Sequence, residues 1–434
     1  MESNIPSFAT ILRWGIKGGW SILDQGVYSG ANFLLNILLA RWLSAIAYGG
    51  YSVAFSIFLL ISSAQVALIA EPMSIFGAGK YHDQQSDYLN QLLRNQWVGA
   101  FLCWVFLLPV FYFFQDMVLR DSLLGMTFAL PFIFGHWYMR RAYYLEARSG
   151  LALISSLAYA TSLLLIVFLL RELGILSIFW AFIAMALASV AASMTTIGPL
   201  RIKYFGNFSG ISINVKDTLH EIWHFGKWIL VAYIASWVAS MAYPLLIAIS
   251  METQLAGVFR SVQNLFLPLQ QFLAAITLLI LPWLAKQRLN YGDSRVFNGT
   301  RTVTGFIGLI SASYCAAMIV FRQQVMDILY ENDFYSSFAG LIPYLALASM
   351  LGVAPLILGL SLRVLGQPEV ILWSKGSAAL CTLIIGLPLI WRFQMTGVIL
   401  SLIMSVIVEA AILLFYYFRI ERTASLASSK EFVS

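Results

Sequence analysis

The segment GVFRSVQNLFLPLQQFLAAITLLILPWL, residues 257–284, sets five polar side chains in an otherwise apolar run. Wound as a helix at about 100° per residue, Arg260, Gln263, Asn264, Gln270 and Gln271 share about 120° of arc. A guanidinium flanked by amides offers a cation to phosphate and hydrogen bonds to hydroxyls. A second stretch, WSILDQGVYSGANFLLNILLARWL at 20–43, gathers Asp24, Gln25, Tyr28, Ser29, Asn32 and Asn36 on one side, with Ile22, Leu34 and Leu38 largely elsewhere. Both stretches are long enough to cross a membrane. A charge in mid-membrane costs at least about 2–3 kcal/mol, so such faces must point at protein or water. Pro268 removes a backbone donor inside the first stretch and provides a bend.

Each polar group has a plainer reading. Asn32 and Asn36 suit interhelical amide contacts worth about 1 kcal/mol each, and that reading is preferred for either one alone. For the Arg260 stripe as a whole, lining of a cavity is preferred. Arg140, Arg141 and Arg363 fall at the ends of apolar blocks, where two readings stand: snorkelling to headgroups or contact with phosphate. Glu409, deep in GVILSLIMSVIVEAAILLFYYF, either pairs with Lys375 or carries a coupling proton; Asp24 is the other candidate for ion coupling.

Metal and hydrolytic chemistry find no footing. Cys103, Cys315 and Cys381 all fall inside apolar blocks without ligand spacing. His220 and His224 are four apart but lack further ligands near them. No paired carboxylates, catalytic triad or GxxxxGK[ST] phosphate loop occurs, so neither an enzyme nor a cofactor is expected.

The elements that carry these groups follow from composition. Of 434 residues, 60% are hydrophobic and 11% charged, against about 25% charged in soluble domains. The apolar blocks are about 20 residues long, the span of a ~30 Å hydrocarbon core. The expected class is an all-α polytopic membrane protein with twelve spans, at roughly 18–42, 47–70, 96–114, 122–145, 150–170, 174–197, 227–250, 254–284, 302–320, 338–362, 369–391 and 396–418. Arg41, Arg120, Arg171, Arg322 and Arg392 fall on one side. The other Lys and Arg, apart from Arg260 and Lys375 within spans, fall opposite, which puts both termini in the cytoplasm. The +6 net charge is therefore a topology signal, not a nucleic-acid one. The N-terminus reads as an amphipathic approach to the first span, since Arg13 and Lys17 break its apolar run.

The longest hydrophilic connections, 71–95, 198–226 and 285–301, leave no room for a soluble domain, and the middle one divides the spans six and six. Bundles over 1–205 and 206–434 are expected. AYGGYSVAFSIF at 47–58 matches LAGVFRSVQNLF at 255–266, and YYLEARSGLALISSLA matches LSLRVLGQPEVILWSK, at shifts of about 208 and about 218 residues. The matches keep order and orientation, which implies duplicated halves facing a central cavity, the layout of alternating-access carriers.

The run SGANFLLNILLARWLSAIAYGGYSVAFSIFLL, with Ala40-Arg41-Trp42-Leu43, Tyr48-Gly49 and Tyr51, resembles the first two spans of Wzx-type polysaccharide flippases of the multidrug/oligosaccharidyl-lipid/polysaccharide (MOP) exporter superfamily. LAGVFRSVQNL and LGQPEVILWSKGSAAL resemble that family too. The resemblance implies a V-shaped, MATE-like carrier in the bacterial inner membrane. It would move undecaprenyl-diphosphate-linked oligosaccharide to the periplasmic leaflet for O-antigen (lipopolysaccharide), exopolysaccharide or capsule synthesis. Arg260 would meet the diphosphate, and a glycan polymerase and a chain-length regulator would be partners besides membrane lipids. Lipid II flippases carry two further helices that this chain has no room for. Multidrug members place acidic residues in the cavity, which fits Asp24 but not Arg260. The alternatives are a cation-coupled drug or solute exporter using Asp24 and Glu409, and a membrane scaffold in glycan assembly.

Overall fold

Apolar blocks with no water to satisfy their backbones must pair every N–H and C=O internally, and a helix does so within one segment. The computed structural model describes residues 8–204 and 214–431, with side chains from 19 to 195 and from 214 to 423 except Leu278; all regular structure among them is helical. The side chains of Arg13, Lys17, Arg201, Lys203 and Lys430, and the expected boundary at 205/206, lie outside that description. The chain divides into two compact units, Met1–Leu230 and Val231–Ser434.

The first unit holds α1 (Phe8–Trp42), α2 (Ala45–Phe76), α3 (Gln85–Tyr112), α4 (Met117–Leu145), α5 (Ser149–Glu172), α6 (Ile178–Tyr204) and the start of α7 (Val215–Ser240). α4 packs on α6, and α5 packs on both α1 and α6. α2 starts on an N-cap, Ser44, whose side chain accepts from the Ala47 N–H at 3.2 Å. One π-turn at Val66–Ala70 is inserted in α2, closed by the Glu71 N–H on the Val66 carbonyl. A cluster of Met73, Tyr88, Leu92, Tyr143 and Ile222 ties α2, α3, α4 and α7 together. Lys80 and Tyr81, in the turn after α2, both donate to Glu221 of α7 at 2.8 Å, and the hydrogen bond to Glu221 raises the Lys80 pKa.

The second unit continues with the rest of α7, then α8 (Tyr243–Ser250), α9 (Thr253–Asn264), α10 (Leu267–Tyr291), α11 (Asp293–Val320), α12 (Arg322–Tyr330), α13 (342–364), α14 (369–393) and α15 (395–431). Its core joins Leu284, Val296, Ile357, Leu362 and Leu413.

Ten helices among the described residues are long and apolar enough to span, against twelve expected. α1 is not one of the ten, because Asp24, Gln25, Asn32 and Asn36 lower its hydropathy. The stretch 369–423 counts once although its backbone breaks at Gln394 (φ 50°, ψ −129°). Two expected spans are also not continuous. Span 227–250 breaks after Ser240 into α7 and α8, and span 254–284 breaks at Leu265–Phe266 into α9 and α10. In both, a proline opens the following helix, where its missing N–H is harmless.

The matched turns share a backbone design. After α4, Ala147 is left-handed (φ 56°) and the Arg148 N–H reaches back to the Tyr143 carbonyl at 2.8 Å. After α13, Gly366 is left-handed (φ 82°) and the Gln367 N–H reaches the Leu362 carbonyl at 2.9 Å. Both are Schellman closures. The second has the residue suited to it; the first carries a Cβ there.

Two measurements test this packing. Ala147→Gly should raise the unfolding free energy by about 1 kcal/mol, the cost of a left-handed alanine, seen as a higher melting temperature in detergent. A Cβ at Gly125 of α4 would stand 2.8 Å from the Phe179 Cα of α6, so Gly125→Val should destabilise by about 1–3 kcal/mol; an unchanged melt would contradict the close contact.

Candidate functional site

Asp24 is fully buried, and its carboxylate is claimed by three donors from two other helices. Arg140 Nη2 of α4 stands 2.6 Å from one oxygen; the Tyr144 hydroxyl donates to the same oxygen. Ser156 Oγ of α5 donates to the other at 2.5 Å. The guanidinium also lies over the Tyr28 ring at 4.2 Å, a stacking that favours a desolvated cation. Trp137 Nε1 donates to the Tyr28 hydroxyl at 2.5 Å.

The polar layer continues along α1. The Tyr159 hydroxyl donates to Asn32 Oδ1 at 3.1 Å, Asn32 Nδ2 to the Tyr28 carbonyl at 2.9 Å, and Asn36 Nδ2 to the Asn32 carbonyl at 2.8 Å. Asn32 thus serves the contact between α1 and α5. His136 Nε2 stands 2.9 Å from Ser155 Oγ, which lies 3.2 Å from the Ala192 carbonyl. The arc drawn for α1 divides: Asp24, Tyr28 and Asn36 are buried, whereas Gln25 is exposed and bonds Ser29 at 3.2 Å.

The Arg260 stripe divides as well. On α9, Arg260, Gln263 and Asn264 are all buried, and Arg260 Nη1 donates to Gln263 Oε1 at 3.2 Å. Gln270 and Gln271 lie beyond the helix break, half-buried on α10. The break holds because the carbonyls it frees are taken up: the Tyr314 hydroxyl donates to the Leu265 carbonyl at 2.6 Å and the Tyr330 hydroxyl to the Ser261 carbonyl at 2.7 Å.

The remaining candidates separate. Glu409 of α15 and Lys375 of α14 form an ion pair at 2.7 Å, with the side chains 13% and 31% exposed. Arg141 is half-buried and donates to Ser74 of α2 at 2.8 Å. Arg363 is exposed at the end of α13. His220 and His224 lie ring to ring, centroids 6.4 Å apart. Among the described residues no group of three or more His, Cys, Asp or Glu comes together.

Sequence reasoning passed over Tyr144 and Ser156 as partners of Asp24. A signal existed: His136, Arg140 and Tyr144 recur every four residues and so line one face of α4. What this arrangement does chemically is hold a buried carboxylate with a donor on each of its oxygens.

No family model matches the sequence, and no curated protein matches it. Solved structures do. An inward-facing multidrug resistance MATE family transporter of the MOP superfamily superposes with TM-score 0.72 at 14% identity, covering 92% of this chain and 96% of that one. The lipid II flippase MurJ, inward closed, gives 0.71 at 13%, covering 94% and 87%. A MOP superfamily transporter from Pyrococcus furiosus Vc1, whose binding pocket of reverse polarity suggests a different function, gives 0.68 at 13%, covering 95% of each. The fold is that of the MOP superfamily transporters. The chain is a multi-pass, helical protein of that architecture.

The pairing on α1 is testable by a double-mutant cycle. Asp24→Asn or Arg140→Gln alone should cost about 3–5 kcal/mol by stranding a buried charge, and the double variant should recover most of it. Additive losses in denaturant unfolding would mean the two residues do not depend on each other.

Proposed function

We propose that the protein is a flippase for undecaprenyl-diphosphate-linked oligosaccharide in a bacterial inner membrane, working by alternating access with both termini cytoplasmic. The likeness in fold to a lipid II flippase and to MATE transporters supports a transporter. The observation that carries the choice of cargo is the state of the charges. Both carboxylates that a cation exporter would use, Asp24 and Glu409, are occupied by Arg140 and Lys375. Arg260 sits buried with the neutral amides Gln263 and Asn264. That set suits an anionic, hydroxyl-rich headgroup better than a cation.

In this reading Arg260 meets the diphosphate, and Gln263, Asn264, Gln270 and Gln271 exchange hydrogen bonds with sugar hydroxyls, while the prenyl tail stays in lipid. Arg363, exposed at its helix end, is available for a first phosphate contact; Arg140 is not while Asp24 holds it. The individual contacts must be modest, because the cargo has to leave. A glycan polymerase and a chain-length regulator are the expected partners. Cation-coupled export remains the second reading, since the fold is equally that of multidrug transporters.

The decisive assay follows a fluorescent undecaprenyl-diphosphate oligosaccharide across sealed vesicles containing the purified protein. Arg260→Ala should slow translocation about ten- to hundred-fold, the loss expected for one charge-assisted hydrogen bond, with Arg260→Lys intermediate. Normal flipping by Arg260→Ala would remove the arginine from the cargo path. No flipping by wild type, with cationic dye export that Asp24→Asn abolishes, would favour the second reading.

A further inference from the structure

The first unit contains a cavity of about 270 Å³ between α2, α3, α4 and the start of α7, away from the Asp24 cluster. Its lining includes no charged side chain. One end is amide: Gln65, Asn95 and Gln96. The rest is apolar or small, running past Gly99 and Cys103 to Phe134, with Trp223 at the rim. Just below the usual ligand-cavity volumes, about 300–1,000 Å³, it suits a length of one hydrocarbon chain and not a whole headgroup.

The amide end is not closed by the protein. Gln65 Nε2 donates to Gln96 Oε1 at 3.2 Å, and Gln91 Nε2 donates to Asn95 Oδ1 at 2.9 Å. Those bonds use the oxygens of Gln96 and Asn95. The Gln96 and Asn95 amide nitrogens are buried and without a partner among the described residues, although Gln96 is only 5% exposed. A buried donor left unmade costs about 1–3 kcal/mol, so these N–H groups call for an oxygen that accepts. They also sit at a particular level of α3. Arg94 is exposed just before them, and from Trp97 onward the outward face is Trp97, Val98, Phe101 and Leu102. That is the pattern of a helix passing from headgroups into hydrocarbon.

We infer that this cavity holds one acyl chain of a membrane phospholipid, with its ester carbonyl accepting from Gln96 Nε2 and the chain lying along Gly99 and Cys103. The ester carbonyl is the acceptor found where headgroup meets chain. It is neutral, as the lining is. A prenyl phosphate would bring its charge against neutral amides with no cation to meet it. The inference is independent of the cargo proposed above, because it concerns a separate pocket and a structural lipid.

Native mass spectrometry of the full chain in detergent, re-equilibrated with diester or diether phosphatidylethanolamine of equal chain length, tests it. Wild type should retain one diester lipid at about five-fold higher occupancy than diether, the worth of one hydrogen bond. Gln96→Leu, which keeps the volume, should bind both alike. A Cβ at Gly99 meets nothing within 4 Å, so Gly99→Phe can fill the cavity without moving backbone and should lose both lipids. Equal retention of ester and ether by wild type, full retention by Gly99→Phe with an unchanged melt, or displacement by undecaprenyl phosphate at equal concentration would each overturn the assignment.

Discussion

A carboxylate inside an apolar helix has nowhere to go but another part of the protein. Water cannot reach Asp24, and neutralising it with one cation alone would leave lone pairs bare. The solution is to fill both oxygens at once: a guanidinium and a phenol on one, a serine hydroxyl on the other. That requirement fixes the rotation of three helices. α1 must turn Asp24 inward, α4 must bring Arg140 and Tyr144 four residues apart to the same face, and α5 must present Ser156. A rotation of any one by a single residue would strand a charge, which is why a pair that adds little net stability can still select one packing.

The same accounting explains the irregular helices. Straight, unbroken spans are the default in a bilayer because each satisfies itself. At several of the departures here a closing partner is present. The break between α9 and α10 is closed by the phenols of Tyr314 and Tyr330. The π-turns in α2 and α14 are each closed by a backbone bond, the Glu71 N–H on the Val66 carbonyl and the Leu387 N–H on the Thr382 carbonyl. The buried amides at the end of the α3 cavity are the conspicuous departure, and they lie where a lipid can supply what the protein does not.

The helical class and most span positions were legible in the sequence, because twenty-residue apolar runs admit few other structures. The breaks were not. Pro268 was read as a bend within one helix, whereas the chain stops at Asn264 and restarts at Leu267, since the tyrosines that stabilise the stop lie far along the sequence. For the same reason the five-residue stripe failed as a geometric unit: an arc computed at constant pitch has no meaning across a break. Asp24 was legible as anomalous, and its partner was already a candidate, but the two stood 116 residues apart. Nothing in periodicity joins residues on different helices. The repeated turns at Ala147 and Gly366 were legible only as a weak match, and it is the shared backbone closure that gives the match physical content.

Each unit joins two of its helices by an ion pair that sequence reading had singled out residue by residue, and exposure to solvent separates the two pairs. Asp24 and Arg140 are 0% and 10% exposed at the side chain; Glu409 and Lys375 are 13% and 31% exposed. A lysine ammonium is a point charge on a flexible stem, and solvent at its side lowers both the strength of the pair and the penalty for parting it. The guanidinium of Arg140 is instead stacked on Tyr28 and bonded in the interior, where parting leaves a charge with no hydration to replace its partner. The pair in the second unit is therefore the one that costs less to part, and the pair in the first unit is the one that holds its helices in register.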